Sequence, residues 1–319
     1  MMSESDIPRG QAAQVQRSRG SGNLFRLKKS PPRWLLRLAD YWTLTKPEVN
    51  FLVLVSTLVG FYLASRGPLD FSRLFHTLMG TLLVASGTGT LNQYIERQSD
   101  RYMRRTANRP LPSGRLAPEE ALWFGIVLAA LGGWELWAFT NPLASTLALL
   151  TLGAYLLFYT PLKKRTPLCT LVGAFPGAMP PLIGWAAARN GLGLDAWALY
   201  AILFLWQFPH LLAIAWMYRE DYARAGLQML PRNDREGRAT VRQILGYSLV
   251  LIPASLLPVF LGEAGKAYLV GALALGLGFF HYGLRLAFLR SNSLARRVVF
   301  ASIVYLPLVF TLLMLDKTA

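Results

Sequence analysis

Long apolar runs separated by short loops rich in arginine and lysine constrain this chain more than any other feature. About nine runs are long enough to cross a bilayer, read at 47–65, 74–95, 120–139, 143–160, 168–188, 196–218, 243–262, 267–289 and 297–315. Segments of this kind satisfy their backbone hydrogen bonds internally as helices. The expected class is therefore all-α, a polytopic membrane protein. Composition agrees: 53% of the residues are hydrophobic and only 16% are charged.

A net charge of +16 would suit nucleic acid if it were spread over one surface. Here the basic residues sit in alternate loops. With nine spans, 28 of the 33 lysines and arginines fall on one side and 5 on the other, Arg66, Arg73, Arg189, Lys266 and Lys317. That bias predicts a cytosolic N-terminus, an external C-terminus and residence in a bacterial cell membrane. The partner it implies is the lipid bilayer, not nucleic acid. Residues 1–40 read as a basic, disordered cytosolic tail, and 41–319 as the transmembrane domain. No apolar stretch of a secretory signal precedes Trp34, and Glu4 and Asp6 argue against a transit peptide. The single cysteine, Cys169, leaves no internal disulfide and no cysteine-built metal site.

Against this apolar background one stretch stands out, Asn92-Gln-Tyr-Ile-Glu96-Arg-Gln-Ser-Asp100. Its amide and two carboxylates follow an i, i+4, i+8 spacing, which stacks them on one helix face. A second acidic cluster, Arg219-Glu220-Asp221-Tyr222, ends another apolar run four spans later and so emerges on the same side. Carboxylates at the edge of hydrocarbon are costly and tend to be functional. The loop after Asp100 alternates further arginines, Arg101, Arg104, Arg105 and Arg109, with Pro110 and Pro112, which are expected to stop the helix. Magnesium takes hard oxygen ligands and is often shared with phosphates, and arginine grips phosphate oxygens. Acids and arginines together at a membrane surface therefore suit a diphosphate. Its apolar tail would lie among the helices, and its departure would leave an allylic cation. No side-chain nucleophile is needed, and no Ser/His/Asp arrangement is evident.

The order of motifs resembles the UbiA superfamily of intramembrane prenyltransferases. Asn92-x3-Glu96-x3-Asp100 with Arg105-Thr106 and Arg109-Pro110-Leu111 resembles its first signature, in the form carried by the haem-modifying branch. Leu44-Thr45-Lys46-Pro47, Tyr159-Thr160-Pro161-Leu162-Lys163, Gly177-Ala178-Met179-Pro180-Pro181, Trp206-Gln207-Phe208-Pro209-His210 and Glu220-Asp221-Tyr222 follow in the order of that branch, over about 40–310. The resemblance implies about nine helices around a central cavity capped by the two acidic loops. It implies farnesyl transfer from farnesyl diphosphate to a vinyl group of haem b, with magnesium as the ion. Water completes the addition, giving haem O and diphosphate. A haem A synthase or an oxidase-assembly factor is a candidate partner. The second loop departs from the Asp-x3-Asp of many relatives: Tyr218 and Tyr222 stand at the outer acid positions, leaving Glu220 and Asp221 to carry the charge.

The expected catalytic set is Asn92, Glu96, Asp100, Glu220 and Asp221. Metal contact is expected from Asn92, Glu96, Asp100 and Asp221. Substrate contact is expected from Lys46, Arg105, Arg109, Lys163, His210, Arg219 and Tyr222. His210 could meet the porphyrin or simply pack between helices, and Lys46 could meet an anion or mark the membrane surface. Gly87-Thr-Gly89 and Gly173-x3-Gly177 read as close helix packing, with Pro176, Pro180 and Pro181 bending the fifth span. Two other functions stay open: prenyl transfer to an aromatic quinone precursor, and a transporter whose acids gate ions or lipids. The position of the acids at span ends, not the midplane, favours a surface site over the second.

Overall fold

The computed structural model describes residues 32–231, 234 and 236–318. The basic tail expected over 1–40 lies largely outside them. By contacts the chain divides into Met1–Leu36 and Arg37–Ala319, and the second unit is described below.

Helix α1 is Arg33–Thr45, so the stretch read as tail is helical over its last eight residues. The reason is amphipathic spacing, which leaves Leu38 and Trp42 exposed while Asp40 and Leu44 are buried. Helices α2 (Pro47–Ala64), α3 (Phe71–Asp100) and α4 (Pro118–Phe139) follow. The fourth span, Pro142–Leu162, is composite: α5 (Pro142–Ala154), a π-turn at Tyr155–Tyr159, and α6 (Thr160–Leu162). Pro161 explains the π-turn. Its ring displaces the carbonyl a turn earlier and it has no N–H, so the helix widens. The fifth span, Cys169–Arg189, bends as its prolines predict, into α7 (Cys169–Gly177) and α8 (Pro180–Arg189). Then come α9 (Leu194–Met217), the short α10 (Arg219–Arg224), α11 (Arg238–Phe260), α12 (Lys266–Leu289) and α13 (Asn292–Leu315).

Nine spans among the described residues are long and apolar enough to cross a membrane. Helix α3 runs along α4, α2 along α8, and α11 lies against α9 and α12, while α13 packs on α12 and α9 and reaches back to α2. Glycine sets the closest approach. A Cβ on Gly184 would sit 2.0 Å from the Thr57 carbonyl oxygen, and one on Gly60 would sit 2.1 Å from that of Pro181. Small residues let helix backbones touch where lipid offers no hydrophobic drive for association. This contact fixes α2 and thus the entry of Lys46 into the site.

Candidate active site

The helix α3 extends five residues beyond the expected span end, carrying Glu96 and Asp100 on regular helix. Asn92, Glu96 and Asp100 are all buried. The helix stops at Asp100, ten residues before Pro110, and so earlier than the prolines predict. Turns take over there: the Thr106 hydroxyl and the Met103 amide both donate to the Asp100 carbonyl.

Each group on this acidic face is held by one cation from a different segment. Lys46 Nζ donates to Asn92 Oδ1 at 2.7 Å. Lys163 Nζ lies 2.8 Å from Glu96 Oε1. Arg109 donates to Asp100 Oδ2 at 2.9 Å. Asp100 Oδ1 is buried and has no hydrogen-bond partner among the described residues. Leaving a buried acceptor unpaired costs on the order of 1–3 kcal/mol. The site therefore holds one acceptor ready for an incoming ligand.

The backbone places these cations deliberately. Lys46 sits at the α1–α2 joint with φ 54°, in the left-handed region that a side chain with a Cβ rarely adopts. The Asn50 amide secures the joint by donating to Thr45 O and Ser86 Oγ, and Gln93 secures it from α3 by donating to the Thr43 and Leu44 carbonyls. Burial, and then the neighbouring Arg109 guanidinium, push the Lys46 ammonium down to about 7. Lys163 is buried too, and burial disfavours its charge, but the Glu96 carboxylate outweighs this and holds it well above its usual value. Its ammonium lies 4.4 Å from the centre of the Tyr159 ring.

The second loop joins the first at the same end of the bundle. Arg105 donates to the Tyr222 hydroxyl at 3.2 Å, and its guanidinium lies 4.8 Å from the Tyr218 ring centre and 5.9 Å from that of Tyr222. Arg224 Nε donates to the Tyr102 carbonyl at 3.4 Å. The two tyrosines that replace the expected acids thus form a platform for an arginine of the opposite loop. The remaining candidates fall in different places. Asp221 is ion-paired with Arg224, its neighbour on α10. Glu220 is exposed. Arg219 turns away from the first loop, stacking on Trp216 and donating to Asn292 at the start of α13.

His210 lies further into the bundle, on α9. Its Nδ1 is 2.7 Å from Ser302 Oγ, and its ring stacks on Trp206 at 4.9 Å. Ser302 already donates its one hydroxyl hydrogen to the Val299 carbonyl at 2.6 Å. Nδ1 must therefore carry the proton, and Nε2 keeps its lone pair.

Several contributors were not assigned a role from sequence. Thr160 accepts from the Asn92 side-chain amide at 3.2 Å and donates to Tyr155 O across the π-turn. Its signal was present, a threonine just before a proline inside an apolar run. Asp40 holds Arg115 at 2.9 Å, pinning α1 to the far end of the first loop. Nothing in the local sequence pairs those two.

The donors are oxygen-rich and one buried oxygen is open, which suits a hard divalent cation. Among the described residues no three acidic, histidine or cysteine side chains converge on one point. Glu96 and Asp100 are each neutralised by a base, and Asp221 is tied to Arg224. An ion here would draw the rest of its shell from substrate phosphate and water.

A model of the UbiA prenyltransferase family matches residues 53–304. The chain belongs to that family. A protein of Solibacter usitatus named protoheme IX farnesyltransferase is 52% identical over 289 residues, covering 88% of this chain and 99% of that one. One of the same name from Koribacter versatilis is 46% identical, covering 88% and 94%. Among solved structures, one concerned with digeranylgeranylglyceryl phosphate synthase superposes with a TM-score of 0.73 at 18% identity, covering 88% of this chain and 98% of that one. A UbiA homologue from Archaeoglobus fulgidus bound to GPP and Mg2+ gives 0.59 at 17% identity, covering 86% and 99%. At such identities these two establish the UbiA fold alone. The all-α class of nine spans expected from sequence is that fold.

Proposed function

We propose that this UbiA-family chain transfers a farnesyl group from farnesyl diphosphate to a vinyl group of haem b, giving haem O and diphosphate. The reading is carried by one observation: the Asn92–Glu96–Asp100 face, each member met by a base, in a chain 52% identical over almost the whole of a protoheme IX farnesyltransferase. The Archaeoglobus homologue bound with Mg2+ supports a magnesium-dependent site.

Glu96 and Asp100, with Asn92 alongside, would hold magnesium, and Asp221 would join them from the second loop once released from Arg224. The ion supplies neutralisation of charge as the diphosphate leaves. Lys46, Lys163 and Arg109 then have a second role. With the acids holding the ion, these bases would bind phosphate oxygens. Arg105 and Tyr222 close the site from above, Arg105 on a phosphate oxygen. Glu220, exposed beside Asp221, adds negative charge at the rim, and Arg219 steadies α10 through α13. Cleavage of the allylic C–O bond leaves a cation that the faces of Tyr155 and Tyr159 shield. The vinyl carbon of haem attacks it, a C–C bond forms, and water adds at the neighbouring carbon and loses a proton. His210 would meet the haem iron through Nε2, with its tautomer set by Ser302 as the outer partner of a metal-bound histidine usually sets it. The acid end faces the cytosol, where 28 of the 33 lysines and arginines lie. A haem A synthase or an oxidase-assembly factor would receive the product.

The decisive experiment measures haem species by chromatography in membranes with and without the protein, and in purified protein given farnesyl diphosphate, haem b and magnesium. Loss of haem O with haem b retained supports the reading. Prenylation of an aromatic acceptor in place of haem, or no release of diphosphate, would overturn it.

A further inference from the structure

The end of the bundle away from the acids carries few cations, yet they are gathered. Three of its five, Arg66, Arg73 and Arg189, line one cavity of about 470 Å3 whose apolar wall includes Phe61, Pro68 and Ala188. A fourth, Lys317, donates to Tyr62 O at 3.1 Å and Ser65 O at 2.8 Å, on the same turn at the end of α2. Two carboxylates stand among these cations: Asp70 lines the cavity beside Arg73, and the Glu263 carboxylate acts on Arg189 and Lys317. Asp70 caps α3 by accepting from the Arg73 amide at 2.9 Å, and its other oxygen lies 3.6 Å from Arg73 Nε. Arg189 donates to the Ala64 carbonyl at 2.7 Å and stacks on Trp185, and Arg66 makes no ion pair with another described residue. Burial holds the Lys317 ammonium below its usual value; the Glu263 carboxylate opposes this and the Arg189 guanidinium adds to it.

From these contacts we infer a second anion site, one that takes a phosphate oxyanion, supplied by the headgroup of an anionic phospholipid in the leaflet opposite the acid loops. The guanidinium groups of Arg66 and Arg189, which form no ion pair with a described carboxylate, match phosphate oxygens, and Arg73 adds its charge although it is shared with Asp70. The mixed wall matches a headgroup whose acyl chains run down the outside of the bundle. The positive-inside bias makes cations scarce at this end, and clustering of scarce cations in one cavity calls for a ligand. The reacting diphosphate is not that ligand. Phe71 and Asn92 are 21 residues apart on one helix, about 30 Å at 1.5 Å per residue. A haem with its vinyl edge at Asn92 could not reach the cavity with its propionates.

The test uses the full-length protein in nanodiscs of phosphatidylcholine, with and without phosphatidylglycerol, read by thermal unfolding and by lipid retained in native mass spectrometry. Phosphatidylglycerol should raise the midpoint of the wild type. Arg66→Gln should lose that rise and retain lipid with about tenfold lower apparent affinity, as expected for one charge-assisted bond. Arg73→Gln, on the other side of the cavity, is the second variant should Arg66→Gln fold poorly. Lys266→Gln removes the same charge outside the cavity and should behave as wild type. Inorganic phosphate stabilising the wild type in phosphatidylcholine alone, but not Arg66→Gln, supports the oxyanion site with a soluble source in place of the lipid. Equal loss in Lys266→Gln, equal retention in Arg66→Gln, or displacement of the lipid by haem b would overturn the inference.

Discussion

Asp100 is where folding and function oppose each other. It is fully buried, one oxygen is paired with Arg109, and the other is orphaned. Asp100→Asn keeps the shape, and its amide can meet other acceptors. We expect turnover to fall about 10²-fold or more, in line with loss of a preorganised charge at a developing anion. The unfolding midpoint should hold or rise. A fall in stability matching the fall in turnover would assign the residue a structural role instead. Lys163 gives the complementary case. Lys163→Met leaves Glu96 buried without its cation, so stability should drop by several kcal/mol, in the range for breaking a buried pair. Magnesium added alone should partly restore it, because the ion replaces the missing charge. Thermal unfolding with and without magnesium checks this, and identical midpoints would count against Glu96 as a metal ligand. The acids, Lys46 and the arginines were legible in the sequence because charge beside hydrocarbon is conspicuous. The one-to-one pairing was not legible, since Lys46, Lys163 and Arg109 reach α3 from three separate segments.

At the scale of elements, the apolar runs revealed the spans, and Pro176, Pro180 and Pro181 announced the bend in the fifth. The π-turn at Tyr155–Tyr159 was not legible, because the local effect of a single proline such as Pro161 depends on the neighbouring helix. Helix α3 ran past its expected end because its final polar turns are buried by loops, so hydropathy falls before the helix does. The start of α11 shows how a loop is fastened. Asp234 accepts from the Ala239 and Thr240 amides and from the Thr240 hydroxyl. Burial opposes its ionisation, but these hydrogen bonds outweigh it and hold the carboxyl below its usual value. A depressed carboxyl stabilises the fold above its unfolded value of 3.8 and loses that contribution as pH falls through the lower folded value. Asp234→Ala should therefore cost about 1 kcal/mol at neutral pH, as for loss of a helix cap, and little in strong acid. Unfolding midpoints at neutral and acid pH test this, and a pH-independent cost would refute it. The α2–α8 contact is less forgiving. Gly184→Leu drives a side chain into the Thr57 carbonyl and should abolish folded protein in detergent, where Gly246→Ala, at a site with open space around the backbone, should not.

The whole molecule arranges charge differently at its two ends. At one, acids and bases pair one by one around a buried face; at the other, Arg66, Arg73 and Arg189 gather around one cavity with Asp70 among them. The loop contacts Arg105–Tyr222 and Arg224–Tyr102 unite segments more than a hundred residues apart, as a site shared by both loops requires. The sidedness follows from the basic residues of the loops, and it can be measured directly. Cys169 is buried, so the native thiol gives little background. Lys164→Cys lies in an exposed loop at the acid end, and Gly191→Cys lies at the other end with nothing closer than 4.0 Å to hinder a side chain. In intact cells a membrane-impermeant maleimide should label Gly191→Cys and spare Lys164→Cys, and opening the membrane should expose both. The reverse pattern would place the diphosphate site outside the cytosol, away from the supply of its soluble substrate. It would also force the positive-inside bias to run against 28 of 33 cations. Bias and substrate supply thus demand the same orientation, and one labelling experiment examines both.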